Sequence, residues 1–291
     1  MSFQMFDSPH HPKFVHFETT NKCNLQCSMC GNSSMVREHR LLNWDVFYKS
    51  ICEISSWTIK PSILLHTIGE PLLHPLCPDM VRMIHAKNLH LHFYTNGTIH
   101  KTEVLIEILS DPQSVVTISL GLLSELEKEH RGCQISRLMN AHNWATLPGK
   151  LVVRGIIDDY KNNIDKSWHS LIEKAGALLE LTQEGNQAGQ NPRTKIPPVT
   201  GYNRKCRLPF TSLVVYADGS LGYCVIDFEA SLSMKNPKDE TLLEFWNGSM
   251  MSSVRQNHKK SHLIGSICEY CSCRHHNWKQ FNSIYVPEKT V

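Results

Sequence analysis

The chain has 291 residues, of which 41% are apolar and 20% are charged, and 30 basic against 27 acidic side chains leave a net charge of +3. This composition is typical of a globular protein with a sizeable core and excludes a disordered, collagenous or coiled-coil chain. No apolar run reaches the roughly 18 residues of a membrane helix, and the amino terminus lacks the apolar stretch of a signal peptide. We therefore expect a cytoplasmic protein without a membrane partner, and the absence of a basic stripe predicts no nucleic-acid partner.

Apolar runs alternate with amphipathic stretches through the first part of the chain. Strands are predicted at 14–18, 62–67, 90–95, 115–120, 150–157 and 177–181. Helices are predicted at 44–55, 79–86, 102–109 and 168–175. This alternation indicates an α/β fold with a parallel sheet, in which functional residues lie at the carboxyl ends of the strands.

A polar segment at 182–205, rich in Gly, Gln, Asn and Pro, interrupts this pattern. Its composition predicts a linker or a mobile loop between a first domain, 1–181, and a second domain, 206–291. In the second domain, the apolar run SLVVY, the turn ADGS and a second run at 221–226 predict a β-hairpin.

Eleven cysteines are a large number for a chain expected in the cytosol, where clustered thiols bind metals more often than they form disulfides. Cys23, Cys27 and Cys30 follow the first predicted strand with the spacing C-x3-C-x2-C. A structural zinc ion or an ordinary four-iron cluster takes four protein ligands, whereas three thiolates leave one iron open to a substrate or a cofactor.

This three-cysteine run resembles the signature of the radical SAM superfamily, and further motifs follow in the family's order. HTIGEPLLH at 66–74 resembles the G-G-E-P loop, and FYTNGT at 93–98 resembles the T-N-G element. VTISLG at 116–121 and EHRG at 129–132 resemble the fourth strand and the Arg-Gly beyond it. Ile68 departs from the family, which usually has the first Gly of G-G-E there, and it stiffens the loop. The resemblance covers roughly residues 14–180 and implies a partial (β/α)6 barrel.

The resemblance also implies cofactors and a chemistry. A 4Fe-4S cluster on Cys23, Cys27 and Cys30 would bind S-adenosylmethionine and cleave it to methionine and a 5'-deoxyadenosyl radical, with a flavodoxin or ferredoxin as the reducing partner. The implied contacts of S-adenosylmethionine are the adenine with Met29, the amino group with Gly69, Glu70 and Pro71, and the carboxylate or ribose with Ser119 and Arg131.

Several of these residues also have a purely structural interpretation. Ser119 could bond only to backbone, and Arg131 could pair with Glu127 on a helix surface. Thr95 and Asn96, the remaining candidates for cofactor binding, could only shape the T-N-G turn. Glu70 has no evident structural task in the sequence, which favours a functional role.

Beyond residue 205, the arrangement C-x12-G-x4-C, helix, C-x2-C resembles the SPASM and twitch extensions of radical SAM enzymes. It implies a small α+β domain with one auxiliary 4Fe-4S cluster on Cys206, Cys224, Cys268 and Cys271. Cys273 could replace Cys271 as a ligand. Four thiolates that include a C-x2-C pair could equally hold zinc.

Three residues are candidates for catalysis. Arg154 is a charge within the apolar run LVVRGII, where it could hold a polar substrate or influence the auxiliary cluster, or else face outward to a helix carboxylate. Cys133 and Cys273 are candidate hydrogen donors, because an epimerase needs a thiol to return a hydrogen atom to its substrate.

One auxiliary cluster in a chain of this length resembles radical SAM dehydrogenases of aminocyclitols and sugar alcohols, which implies oxidation of a small polar substrate. The alternatives are a sugar or peptide epimerase, a peptide or protein maturase, and a non-catalytic iron-sulfur or zinc redox sensor. Because 22 residues precede Cys23, we expect a leader-binding domain for a peptide substrate to come from a separate protein.

Overall fold

The computed structural model of the chain describes residues 10–127, 130–157, 163–194, 206–234, 240–263 and 266–271. Eight strands form one sheet: β1 (Phe14–Phe17), β2 (Ser62–Leu64), β3 (Leu91–Thr95), β4 (Val115–Leu122), β5 (Lys150–Ile157), β6 (Leu178–Gln183), β7 (Ser212–Val215) and β8 (Leu221–Gly222). Their order across the sheet is β6-β5-β4-β3-β2-β1-β7-β8. Every neighbouring pair is parallel except β7 with β8. The open, mostly parallel sheet confirms the predicted partial barrel.

Five helices connect the first six strands: α1 (Trp44–Ser56), α2 (Cys77–Ala86), α3 (Thr102–Leu109), α4 (Arg131–Asn140) and α5 (Lys166–Lys174). All six predicted strands and all four predicted helices are present, with ends that differ by a few residues. The helix α4 was not predicted, because its sequence is mostly polar and buries few apolar side chains, among them Ile135 and Leu138. None of the described helices combines the length and the apolar character that crossing a membrane requires.

The two faces of the sheet differ in chemistry. Val15 and Phe17 of β1 point toward the helices and belong to the main apolar core. Since successive side chains of a strand point to opposite faces, His16 points to the other face, toward the inside of the barrel. Tyr94 of β3 and Arg154 of β5 line the cavity on that inner side. The interior of the partial barrel is therefore partly polar.

The C-terminal part contributes two strands to the same sheet. The predicted hairpin is confirmed, and β7 pairs in parallel with β1 from Phe14↔Ser212 to Phe17↔Val215. The second strand, β8, ends before the predicted residue 226, because the chain turns there, with the N–H of Asp227 bonded to the carbonyl of Cys224 at 3.2 Å. Three further helices are α6 (Leu208–Thr211), α7 (Leu242–Asn247) and α8 (Ser249–Lys260).

The first half of the predicted linker is ordered structure rather than a loose connection. The strand β6 extends to Gln183, and Asn186 and Asn191 in the turn that follows are buried. The side-chain amide of Asn191 donates hydrogen bonds to the Glu184 carboxylate at 3.0 Å and the Gly185 carbonyl at 2.8 Å. Residues 195–205 lie outside the described ranges, and the division of the chain into domains stays a prediction.

Candidate active site

A cavity of about 330 Å³ lies at the carboxyl ends of β1 to β5, where a parallel α/β sheet is expected to carry its functional residues. Cys23, Cys27 and Cys30 all line it, together with Met29. The three cysteines lie on the loop that leaves β1, and the N–H of Cys30 bonds to the carbonyl of Cys27 at 3.0 Å. The structure thus brings the three predicted cluster ligands to one wall of one cavity.

The surroundings of these thiols suit an iron-sulfur cluster. Arg131 Nη1 lies 3.6 Å from Cys27 Sγ, and Asn96 Nδ2 lies 3.8 Å from Cys23 Sγ, so that two N–H groups are directed at sulfur. Burial raises the pKa of the Cys23 thiol and raises that of Cys30 to about 11. Because a metal ligand must be the thiolate, deprotonation of these buried thiols is expected to accompany cluster binding.

The loop after β2 approaches the cysteine loop closely at Gly69. This residue has φ +86°, and a Cβ atom added to it would lie 2.4 Å from the carbonyl oxygen of Thr20. Glycine is therefore required at this position both by backbone conformation and by space. Ile68, which replaces the family's first glycine, is buried and lines the cavity. Pro71 begins a short 3-10 helix and is not among the residues that line the cavity.

The Glu70 carboxylate connects two loops of the site. It accepts hydrogen bonds from the N–H of Leu72 at 3.1 Å, the hydroxyl of Thr95 at 3.0 Å and the N–H of Asn96 at 2.7 Å. Burial raises its pKa to about 7. The expectation that this carboxylate has no structural task is therefore wrong, because Glu70 joins the G-E-P loop to the T-N-G loop. Its predicted contact with the amino group of S-adenosylmethionine stays a prediction.

Thr95 and Asn96 shape the turn, and their predicted contact with the cofactor stays a prediction. The Thr95 hydroxyl also accepts from the N–H of Gly97 at 3.1 Å, and the Asn96 side-chain oxygen accepts from the N–H of Thr98 at 2.9 Å, so both shape the turn. Both also line the cavity, and the Asn96 amide is directed at Cys23.

Arg131 is directed into the site instead of pairing with Glu127. It lies at the start of α4, is 6% exposed, and donates from Nη2 to the carbonyl of Ser119 at 3.0 Å. Ser119 lines the cavity at a bulge in the pairing of β4 with β5. A Cβ atom on Gly121, which has φ +62°, would lie 2.6 Å from Arg131 Nη1. The bulge and this glycine make room for the guanidinium beside Cys27.

Arg154 lines the cavity from β5, and its carboxylate partner is on a strand rather than on a helix. Its Nε lies 2.6 Å from Oε2 of Glu180 on β6, and its guanidinium lies 5.3 Å from the centre of the Tyr94 ring. The ring of His66 is stacked on that of Tyr94, with the ring centroids 5.2 Å apart. Burial and the charge of Arg154 lower the pKa of His66 to about 4, which leaves its imidazole neutral at neutral pH.

The four predicted auxiliary ligands converge at the end of the hairpin. Cys224, Cys268 and Cys271 are buried, and Cys206 is half-buried. Burial raises the pKa of Cys224 well above its ordinary range, and the other three thiols raise it further. Cys268 Sγ also lies 4.0 Å from His258 Nε2. Buried thiols without disulfide bonds are a set of donors that suits an iron-sulfur cluster.

Of the two candidate hydrogen donors, Cys133 is placed unfavourably for catalysis. Cys133 is exposed on α4 and is not among the residues that line the cavity, because the helix turns it outward after the buried Arg131 and Gly132. Cys273 lies outside the described residues. Within the described ranges, no group of three or more His, Cys, Asp or Glu side chains is arranged to hold a single metal ion.

Sequence reasoning missed several residues of the cavity wall. His66 lines the cavity, and Glu180 is the ion-pair partner of Arg154. Like Arg154, Glu180 could have been found in the sequence as a charge within an apolar strand. Gln187 also lines the cavity, and its side-chain oxygen accepts from the N–H of Gly31 at 3.2 Å. Gln190 donates to the carbonyl of Ile226 at 2.5 Å. No local pattern in the sequence indicates these two glutamine contacts.

Comparison with known proteins agrees with this geometry. Residues 17–150 match the model of the radical SAM superfamily, and residues 206–273 match the SPASM model, an iron-sulfur cluster-binding domain. The cofactor-modifying protein of the tungsten-containing aldehyde ferredoxin oxidoreductase from Pyrococcus furiosus is 32% identical over 111 residues, which are 38% of this chain and 31% of that protein. The match thus spans about a third of the length of this curated relative.

Two solved structures share the fold. BtrN in complex with AdoMet and 2-DOIA is 19% identical with a TM-score of 0.59, and the match covers 90% of this chain and 93% of that one. SuiB of Streptococcus suis bound to the precursor peptide SuiA is 13% identical with a TM-score of 0.66, and the match covers 85% of this chain and 67% of that one.

The ordered motifs, the shared cysteine cavity and both family models lead to one assignment. The zinc interpretation of the second cysteine set gives way to the iron-sulfur one, because the matching family model describes an iron-sulfur cluster-binding domain. The cofactors are accordingly S-adenosylmethionine, a 4Fe-4S cluster and an auxiliary iron-sulfur site. That Cys23, Cys27 and Cys30 hold the first cluster stays a prediction. The chain belongs to the radical SAM superfamily and is a radical SAM enzyme with a C-terminal SPASM iron-sulfur domain.

Proposed function

We propose that this enzyme dehydrogenates a small polar substrate, such as an aminocyclitol or a sugar, held inside the barrel. The observation that carries the proposal is the ion pair of Arg154 with Glu180, because its arginine lies in the wall of the same cavity as the three cluster cysteines. A cation and a carboxylate side by side, both less than a fifth exposed, suit a substrate with hydroxyl and amino groups. Such groups donate hydrogen bonds to the carboxylate and accept them from the guanidinium.

The cavity wall supplies further groups for such a substrate. The neutral His66 ring can donate to or accept from a hydroxyl, and no other described residue forms a hydrogen bond with either of its ring nitrogens. Leu64, Ile156 and Phe228 cover apolar parts of the cavity and exclude water. When bound, the cluster and S-adenosylmethionine supply the abstraction of a hydrogen atom. The protein then has to orient one C–H bond of the substrate toward that centre.

The position of the second cysteine set supports net oxidation. A carbinol carbon that has lost a hydrogen atom must still lose one proton and one electron to become a carbonyl. Val225 and Ile226, which directly follow Cys224, line the cavity, so that the auxiliary site borders the chamber in which we place the substrate. We assign the remaining electron to that site.

Epimerisation has less support. A hydrogen donor must contact the substrate, and the cysteines among the described cavity-lining residues are the three cluster ligands. Cys133 is on the outer surface. Peptide modification is the second candidate, favoured by the fold shared with SuiB, whose structure holds a precursor peptide.

The test begins with anaerobic reconstitution of the full chain and measurement of 5'-deoxyadenosine under reduction by dithionite, flavodoxin or ferredoxin. Deuterated aminocyclitols, deuterated sugars and short peptides are then offered in parallel, with the Cys23→Ala, Cys27→Ala, Cys30→Ala triple variant as the control. Dehydrogenation transfers deuterium to 5'-deoxyadenosine and gives a product that has lost one deuterium and one hydrogen atom. A product that has only exchanged one deuterium for a hydrogen from solvent would establish an epimerase, and turnover of peptides alone would establish the second candidate.

A further inference from the structure

Arg131 is a buried cation whose charge no carboxylate among the described residues balances. Its Nη2 donates to the carbonyl of Ser119 and its Nη1 lies 3.6 Å from Cys27 Sγ, while its Nε is buried without a hydrogen-bond partner. Among the described residues, no Asp or Glu forms an ion pair with it. A buried guanidinium is costly unless a negative charge lies nearby, so the structure calls for an anion at this place.

The backbone around the Arg131 side chain leaves room for it to reach Cys27. The guanidinium passes over Gly121, and a Cβ atom on that residue would lie 2.6 Å from Nη1, 2.8 Å from Nη2 and 3.1 Å from Cζ. The positive φ of Gly121 and the bulge of β4 beside Ser119 open this path. The backbone of one strand is thus irregular where it lets the cation approach the cysteine loop.

The anion that these contacts fit is the cluster together with its thiolates. The reduction potential of an iron-sulfur cluster depends on its net charge, on hydrogen bonds to its sulfurs and on its exposure to solvent. Reduction adds one negative charge to the cluster. A fixed positive charge and an N–H donor beside a ligand sulfur therefore stabilise the reduced state more than the oxidised state.

We propose that Arg131 raises the reduction potential of the cluster held by Cys23, Cys27 and Cys30, and that it does so before S-adenosylmethionine binds. Arg131 is in this respect a positioning residue that acts through Cys27. This effect is separate from the contact with the carboxylate or ribose of S-adenosylmethionine that the family resemblance implies, because such a contact would leave the potential of the cluster without S-adenosylmethionine unchanged.

The experiment is a redox titration of the reconstituted full chain without S-adenosylmethionine, followed by electron paramagnetic resonance. The signal that disappears in the Cys23→Ala, Cys27→Ala, Cys30→Ala triple variant identifies the cluster. In Arg131→Met we expect at least a tenfold loss in the equilibrium constant for one-electron reduction, which is a downward shift of about 59 mV or more. Iron and sulfide content, measured in parallel, are expected to stay at the wild-type level.

Two further variants make the result specific. Arg137→Met removes an exposed cation from the same helix and is expected to leave the potential unchanged. Gly121→Ala keeps the charge but moves the guanidinium, so it is expected to lower the potential less than Arg131→Met does. If Arg131→Met fails to retain its cluster, the Gly121→Ala titration decides. If the variant that retains its cluster has an unchanged reduction potential, the proposal is overturned. This holds even if that variant binds S-adenosylmethionine less tightly.

Discussion

Arg154 and Glu180 stand opposite each other in the register of β5 and β6, and Nε of the arginine lies 2.6 Å from Oε2 of the glutamate. The two side chains are 16% and 18% exposed, so most of the pair is removed from water. A parallel pair of neighbouring strands thereby presents a cation and an anion to the interior of the barrel. The same pair stabilises the sheet, and its arginine lines the cavity.

Removal of one partner of this pair is expected to destabilise the protein. Arg154→Met leaves the Glu180 carboxylate desolvated without its cation, and we expect the free energy of unfolding to fall by roughly 2–4 kcal/mol. The measurement is denaturant unfolding of the reduced protein at neutral pH. The double variant Arg154→Met, Glu180→Gln is the control and should recover part of the loss. A double variant as unstable as the sum of both single variants would mean that the two charges are not coupled.

Gly69→Ala is expected to disrupt the site, whereas Gly219→Ala is the matched control. Both glycines have a positive φ, +86° and +83°, but the nearest atom to an added Cβ is 2.4 Å away at Gly69 and 3.8 Å away at Gly219. Gly219→Ala therefore costs only backbone strain of about 1 kcal/mol. In Gly69→Ala, the loop has to move away from Thr20. We expect S-adenosylmethionine binding to the reconstituted protein, measured by equilibrium dialysis, to be lost in this variant alone.

The two cysteine sets are expected to hold separate clusters. Wild-type protein should bind about eight irons, and the Cys268→Ala, Cys271→Ala double variant about four, because each set supports one four-iron cluster. Cys52 on α1 belongs to neither set, and Cys52→Ala should bind as much iron as wild type. Iron and zinc are measured by elemental analysis after anaerobic reconstitution. About four irons plus zinc in the wild type would contradict the iron-sulfur assignment of the second set.

The histidine beside Tyr94 is expected to make the protein sensitive to acid. The pKa of His66 is lowered from 6.5 to about 4 in the folded state, so the unfolded state binds more protons between these values. The contribution of the neutral His66 to the free energy of unfolding is therefore fully present above pH 6.5. It decreases by about 3 kcal/mol in total as the pH falls toward 4. His66→Phe, which keeps a ring against Tyr94, should reduce this dependence. Unfolding is measured across this pH range, with His39→Phe at an exposed position as the control. Equal pH slopes in wild type and His66→Phe would contradict the prediction.

The sequence predicts the strands and the cysteine sets well because both are local signals. A buried parallel strand is a short apolar run, and ligand spacing is read directly along the chain. The surroundings of these elements depend on contacts between distant segments. Glu70 acts as a structural connection only because the loops after β2 and β3 meet, and Arg131 reaches Cys27 only because Gly121 has a positive φ. Neither condition leaves a pattern in the neighbouring residues.

The place of β1 in the sheet has a consequence for how the enzyme is made. β1 leads directly into the loop of Cys23, Cys27 and Cys30, and it is an interior strand with β2 on one side and β7 on the other. Until residues 212–215 have left the ribosome, β1 remains an edge strand with unpaired backbone groups and an apolar sequence, which is a hazard for aggregation. The site of Cys23, Cys27 and Cys30 comes first in the sequence but is thus among the last to be completed. A chain truncated before β7 would lose the strand that supports both cysteine sites.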